Sequence, residues 1–402
     1  MVTDLAFLLQ SIAWPLVLLL AWFAGEVAHE RWRVPRVTSY VAVGLLGGLI
    51  NLPGLTTDIP GLPFLANVAL ALVLFELGHR KNLRWFRHNP WVLVHGLVES
   101  AVTFAVIYWA SGWFGLPIDQ RLIIAALSVS ASPAGVVRVA NELRSAGQVT
   151  ERVLHLCAIN CLAAVVALKA VMAYWYLSTS GDVVQALFSS VHVVGTSLAV
   201  GGLLGVAVPW LLRLRRTPEH GVTVVFALAV LLLTTAAFGL KLSPLLAALT
   251  FGIVARERRV HLTSAQRDFG TVGHLLSVFL FVYIASLLDW SDVPAGLAMG
   301  LLLIALRTAS KVVCSVAVAR LSGITERKGL LTGLALTPMS AFAILLLEQS
   351  RLMGFEPAVA VLAALAGMML VQELLGPVVT QRALMAARET HLTHAEEPRH
   401  AA

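Results

Sequence analysis

Apolar runs of roughly 20 residues, the length that crosses a hydrocarbon core, recur along this chain from its first ten residues to about position 384. No long polar stretch interrupts them. With 58% hydrophobic and 13% charged residues among 402, the balance lies far from that of a water-soluble domain. Lipid offers no hydrogen bonds to an open backbone, so such runs satisfy their own peptide groups as helices. The fold class that follows is an all-α polytopic membrane protein. The first run comes after Met1-Val2-Thr3-Asp4, with no basic flank and no small-residue cleavage site, and reads as a retained helix.

Cys157, Cys161 and Cys314 all sit inside apolar runs, two of them four residues apart on one helix, which argues against a disulfide framework. The net charge of +7 does not mark a nucleic-acid surface, because the basic residues are spread through short loops. About thirteen transmembrane helices are expected, at 7–30, 35–51, 62–79, 90–114, 119–143, 150–177, 183–212, 219–239, 242–256, 269–289, 294–320, 328–351 and 357–383. Loops after odd-numbered helices hold 22 of the 29 Lys and Arg residues, beginning with Arg31, Arg33 and Arg36, then Arg80, Lys81, Arg84 and Arg87. The opposite loops hold only Arg121, Lys241 and Arg351, and carry acids such as Asp58, Asp119, Asp182, Asp289 and Asp292. Positive loops stay in the cytoplasm. The chain is therefore expected N-out and C-in, multi-pass in an inner (plasma) membrane.

A shift of seven helices would invert the second half of such a chain relative to the first, the pattern of an inverted repeat. Helix 2 opens at Pro35-Arg36-Val37 and helix 9 at Ser243-Pro244. Helix 5 holds Ser132-Pro133 and helix 12 holds Thr337-Pro338, each well inside its span. Proline there removes a backbone hydrogen bond that lipid cannot replace, so both breaks must face protein or a watery cavity. Two broken helices, 5 and 12, point to a central site lined by Ser132, Pro133, Thr337, Pro338 and Ser340.

Ionisable groups at membrane depth are costly and mark function. Counting along the helices places Glu99 of helix 4, Asn160 and Cys161 of helix 6, Arg307 and Lys311 of helix 11, and Glu373 of helix 13 near mid-membrane. Glu76, Arg138, Lys169 and Glu348 fall nearer an interface and read as snorkelling anchors. Arg307 and Lys311 share a helix face, so an acid or carbonyl must answer two cations in a low dielectric. Glu99 is the first choice of partner, being on the seven-helix counterpart of helix 11; Glu373 is the second.

Most of the chain resembles the cation/proton antiporter superfamily, in its bacterial sodium or potassium/proton exchanger branch related to glutathione-gated potassium efflux systems. The resemblance is carried by Val34-Pro35-Arg36-Val37 with Val43-Gly44-Leu45-Leu46-Gly47, by Leu74-Phe75-Glu76-Leu77-Gly78, and by Ser130-Ala131-Ser132-Pro133-Ala134-Gly135. Leu242-Ser243-Pro244-Leu245 and Gly333-Leu334-Ala335-Leu336-Thr337-Pro338-Met339-Ser340 continue it. It implies a homodimer, an elevator-like core of six helices, and crossed broken helices beside an acid-bearing helix 6. It also implies a basic residue on helix 11, which Arg307 or Lys311 supplies. Helix 6 here reads Ala158-Ile159-Asn160-Cys161-Leu162, with cysteine where the family carries its second acid. Sulfur is a soft ligand, poorly suited to a hard monovalent cation. Either Glu99 has taken over the acid's role, or Cys161 titrates, or the fold persists without cation exchange.

The expected organisation is a transmembrane exchanger domain over residues 1–384 and a short polar cytoplasmic tail over 385–402. That tail is too small for a nucleotide-binding regulatory domain, and its His391, His394 and His400 are too irregularly spaced to suggest a metal. The expected function is monovalent cation/proton antiport in a lipid bilayer, with no cofactor. Alternatives are a carrier of organic or anionic solutes and a non-transporting scaffold or sensor. Nothing in the sequence suggests an enzyme: there are no paired intramembrane aspartates and no zinc-ligand spacing.

Overall fold

The computed structural model describes residues 2–50, 52, 54–55, 59, 61–80, 89–180, 183–215, 219–258, 269–288, 290–291, 293–352, 355 and 357–390. Regular structure among them is helical: α1 Val2–Trp32, α2 Arg36–Leu49, α3 Leu62–His79, α4 Pro90–Gly112, α5a Ile118–Val129, α5b Pro133–Glu142, α6 Gln148–Ser180 and α7 Val183–Arg215. There follow α8 Glu219–Gly239, α9 Pro244–Glu257, α10 Gly270–Ser286, α11 Val293–Ala319, α12a Glu326–Ala335, α12b Ser340–Leu352 and α13 Pro357–Ala386. Among the described residues, eight of these spans are long and apolar enough to cross a membrane on length and composition. The interruptions at Ser130–Ser132 and Leu336–Met339 fall where the two internal prolines require them.

Proline also sets where helices begin. Pro133 and Pro244 each occupy the first helical position, where a missing N–H costs nothing. The preceding serines cap them: Ser132 Oγ accepts from Gly135 N at 3.3 Å and Ser243 Oγ from Leu246 N at 3.4 Å. The two Ser-Pro pairs of the sequence are thus the same local device used twice.

The helices pack as two groups, α1–α3 with α7–α10 and α4–α6 with α11–α13. In the first, Gly78 of α3 lies against the Leu249 carbonyl, and Gly252 of α9 against the Phe75 carbonyl, so the two backbones nearly touch. Small residues permit this approach in lipid, where packing rather than water exclusion drives association. Phe75, Phe226 and Phe251 fill the space beside it, with ring centroids 4.8–5.8 Å apart. Burial falls from the centre outward. In the most apolar stretch of Ile118–Glu142, 94% is buried, against 22% in Val191–Leu214 of α7, where Leu203 and Trp210 are exposed. The broken α5 is therefore core, and α7 lies at the outside of the bundle.

Helix α13 continues to Ala386, and Glu389 and Thr390 are buried. Glu389 accepts hydrogen bonds from Val149 N at 2.9 Å and Thr150 N at 2.8 Å, satisfying free donors at the start of α6. The histidines of the tail lie outside the described residues.

Candidate functional site

Where the two breaks meet, Ser132 N donates to the Pro338 carbonyl at 2.6 Å, tying the half-helices together. The last turns of α5a and α12a leave carbonyls without helical partners, and their dipoles make this a negative pole. Arg307, completely buried on α11, meets it. Its guanidinium donates to the Ser128 carbonyl at 2.8 Å and to the Ser130 and Thr337 carbonyls. The expected answer to Arg307 was an acid or a carbonyl; here it is three carbonyls from both broken helices.

One turn along α11, Lys311 Nζ lies 2.5 Å from Glu99 Oε1, both side chains fully buried. This is the first-choice pairing. Lys311 also donates to the Val129 carbonyl at 3.3 Å, and Thr103 Oγ1 donates to Glu99 Oε1 at 3.1 Å. The other Glu99 oxygen is buried with no hydrogen-bond partner among the described residues. A charge pair this deep repays its desolvation only in good geometry, and removing one member leaves a stranded charge.

Helix α6 contributes the neighbouring layer. Ser100 Oγ donates to Asn160 Oδ1 at 3.3 Å, while Asn160 Nδ2 is buried with no partner among the described residues. Cys161 is buried, and its thiol donates to the Ala131 carbonyl in the α5 break at 3.4 Å. The structure therefore brings together Glu99, Lys311, Arg307, Asn160, Cys161, Ser132, Pro133, Thr337 and Pro338. Ser340 opens α12b, but its side chain lies outside the described residues. Glu373 is not brought to either cation. It is buried on α13 and lines a small cavity of about 40 Å³ with Leu45, Ile284 and Ile344, so it faces the other helix group.

Three of the four expected anchors, Glu76, Arg138 and Lys169, do not snorkel. Glu76 is completely buried and Arg138 is 8% exposed. Glu76 accepts from Arg80 and Asn141, each at 2.8 Å, and Arg138 approaches it to 3.9 Å. Depth counted along a helix does not reveal whether that face meets lipid or protein. Lys169 is likewise buried, its Nζ 3.6 Å from Met172 Sδ, whereas Glu348 bonds the half-exposed Arg351 at 2.5 Å.

Sequence reasoning missed a second ionic cluster at the seam between the helix groups. Glu142, the last residue of α5b, sits 3.1 Å from Arg36 Nη1 and 2.6 Å from His29 Nδ1. Arg36 also grips both oxygens of Glu26 at 2.8 Å. A cavity of about 120 Å³ lies alongside, lined by Tyr40, Arg138, His274 and Ser277 among others. The pairing of Arg36 with Glu142 spans 106 residues and leaves no local pattern to find.

Two broken helices that meet beside a buried ion pair, inside an all-helical bundle of apolar spans, define a secondary transporter rather than an enzyme. The profile of the sodium/hydrogen exchanger transmembrane family matches residues 16–386, and the chain belongs to that family. It is accordingly a multi-pass membrane protein of the cation/proton antiport class. Similar solved structures include that of the sodium proton antiporter MjNhaP1 from Methanocaldococcus jannaschii at pH 8. Identity is 15%, coverage 97% of this chain and 99% of that one, and the TM-score 0.70. An electron-microscopy map of the same antiporter gives 14% identity, 97% and 98% coverage, and a TM-score of 0.73. No curated protein sequence matches the chain significantly.

Proposed function

We propose that this chain exchanges sodium or potassium for protons, with Glu99 as the carboxylate that takes cation and proton in turn. The observation that carries this reading is the buried 2.5 Å pair of Glu99 with Lys311 beside the helix crossing. Glu99 is the single carboxylate among the side chains gathered there, so it takes over the duty that cysteine at position 161 leaves vacant. A cation reaching Glu99 displaces the Lys311 ammonium; a proton reaching it neutralises the carboxylate and leaves the ammonium without its counter-charge. Either event frees Lys311, whose remaining acceptor is the Val129 carbonyl.

The reading includes a homodimer, residues 1–384 as the exchanger domain and the N-out, C-in orientation. Similarity to MjNhaP1, described as a sodium proton antiporter, favours sodium among the cations. A second reading draws on the charge at the crossing. Arg307 and Lys311 face one carboxylate, a surplus of positive charge that would suit an anionic solute.

Proteoliposomes loaded with the purified protein separate the two. Cation-driven proton movement with sodium, potassium and lithium is expected in wild type, abolished by Glu99→Gln and nearly unchanged by Cys161→Ser. Cys161→Asp, which adds a second carboxylate beside Asn160, should strengthen cation coupling. Flux that survives Glu99→Gln and dies with Cys161→Ser would make the thiol the titrating group. No cation flux from wild type or Cys161→Asp would leave the anionic solute reading.

A further inference from the structure

The Glu99–Lys311 pair is fully buried, so protons need a route to it. Helix α4 begins at Pro90, and Glu99 lies about 14 Å along it at about 1.5 Å per residue. Apolar packing over that distance conducts no protons. One turn before Glu99, on the same face of α4, stands His95, 4% exposed. One turn beyond Lys311 on α11 stands Ser315, 2% exposed, and its Oγ lies 3.1 Å from His95 Nε2. The two helices are thus zipped by consecutive polar rungs, His95 with Ser315 and Glu99 with Lys311.

From this arrangement, and resting on the reading of Glu99 above, we infer that His95 relays protons between Glu99 and the arginine-rich end of the bundle. Imidazole suits the task because it accepts a proton on one nitrogen and releases one from the other. The ionisable groups that act on it are Glu99 on its own helix, Lys311 on α11 and Arg152 on α6. The ionisable groups of α5a, Asp119 and Arg121, sit in its first turns, with Arg121 over the ring of Tyr108 at the far end of α4. Arg152 itself is held by the Ser322 carbonyl at 2.5 Å, beyond the end of α11. His95 is then the titratable rung between that end and the ion pair. Gly96 beside it lets Ile159 of α6 close over α4, so the rungs are sealed laterally. The balance is simple: a proton arriving on one imidazole nitrogen is matched by one leaving the other toward Glu99, and no oxidant or co-substrate enters.

A structural tie between α4 and α11 would use the same hydrogen bond, so the test separates bonding from titration. His95→Gln keeps a side chain able to bond Ser315 but cannot carry a proton; Ser315→Ala removes the bond and keeps the imidazole. In proteoliposomes of the purified dimer or monomer as isolated, His95→Gln is expected to lower the maximal exchange rate at least tenfold, with the apparent KM for the cation unchanged. Its rate–pH profile should lose the inflection due to the imidazole. Ser315→Ala should lower the rate less than threefold and keep that inflection. The relay is overturned if His95→Gln runs at the wild-type rate with the wild-type pH profile. It is equally overturned if Ser315→Ala is as slow as His95→Gln, or if His95→Gln fails to fold while Ser315→Ala loses the inflection. Loss of flux in Glu99→Gln with normal flux in His95→Gln would remove the relay and leave the antiport reading standing.

Discussion

At the residue scale the site is a problem in answering buried positive charge. Lys311 meets a carboxylate and Arg307 meets carbonyls, and the two solutions predict different consequences. Arg307→Leu removes one desolvated charge but strands three acceptors at the ends of α5a and α12a. Each buried acceptor left unpaired costs about 1–3 kcal/mol, so the variant should be markedly less stable. The expected outcome is a melting temperature in detergent lowered by several degrees, with Arg307→Lys recovering only part because an ammonium cannot span three carbonyls in one plane. An unchanged melting temperature would mean that the carbonyls find other donors. Glu99 with Lys311 was legible in the sequence because both are ionisable, both count to mid-membrane, and their helices are counterparts in the repeat. The ligands of Arg307 were not, since backbone carbonyls are freed by a break whose residues carry no acceptor signature beyond the proline. Asn160 and Cys161 count to mid-membrane and draw their interest from the resemblance; the structure joins Asn160 to Ser100 of α4 and Cys161 to the α5 break, and gives neither a charge to hold.

At the scale of elements, the internal prolines and the Ser-Pro helix starts were enough to locate the discontinuities, because proline acts on its own backbone. Faces were harder to read. Helices that are apolar all round give no stripe to show which side meets protein, so the sequence pattern reads buried Glu76, Arg138 and Lys169 as surface anchors. The contact of α3 with α9 shows the same limit: Gly78 and Gly252 are legible as small residues, but their mutual approach becomes evident only in three dimensions. A side chain at Gly252 would meet the Phe75 carbonyl backbone, which cannot swing aside. Gly252→Val is therefore expected to separate α3 from α9 and destabilise the bundle by about 1–3 kcal/mol. Thermal unfolding of the purified variant checks this, and a native melting temperature would show that the two helices can slide without cost. Gly239, whose added side chain would enter open space, is the control position, where a small side chain should be tolerated.

At the scale of the whole molecule, among the described residues, basic groups beside the ends of odd-numbered helices reach across to one another's segments. Arg36 reaches Glu142, Arg80 reaches Asn141, Arg152 reaches the Ser322 carbonyl, and Lys328 reaches Gln148 at 2.8 Å. Arg213 likewise donates to the Arg258 carbonyl, joining the loops after α7 and α9. Charge alternation along the sequence thus has a spatial counterpart in these contacts between basic residues near the ends of odd-numbered helices. Excess Lys and Arg in short loops is retained on the cytoplasmic side during insertion, so these loops should face the cytoplasm. The prediction is tested with single cysteines in a background lacking Cys157, Cys161 and Cys314. Cysteines at Asp58, Asp182 or Asp292, which lie outside the described residues, should react with an impermeant thiol reagent added from the periplasm. Those at Arg215 or Arg258, and at Arg84 outside the described residues, should react only after the membrane is opened. Reversed labelling would set the arginine-rich end outside and discard the orientation. It would also turn the proposed His95 path around, because protons would then reach Glu99 through that histidine from the periplasm rather than from the cell interior.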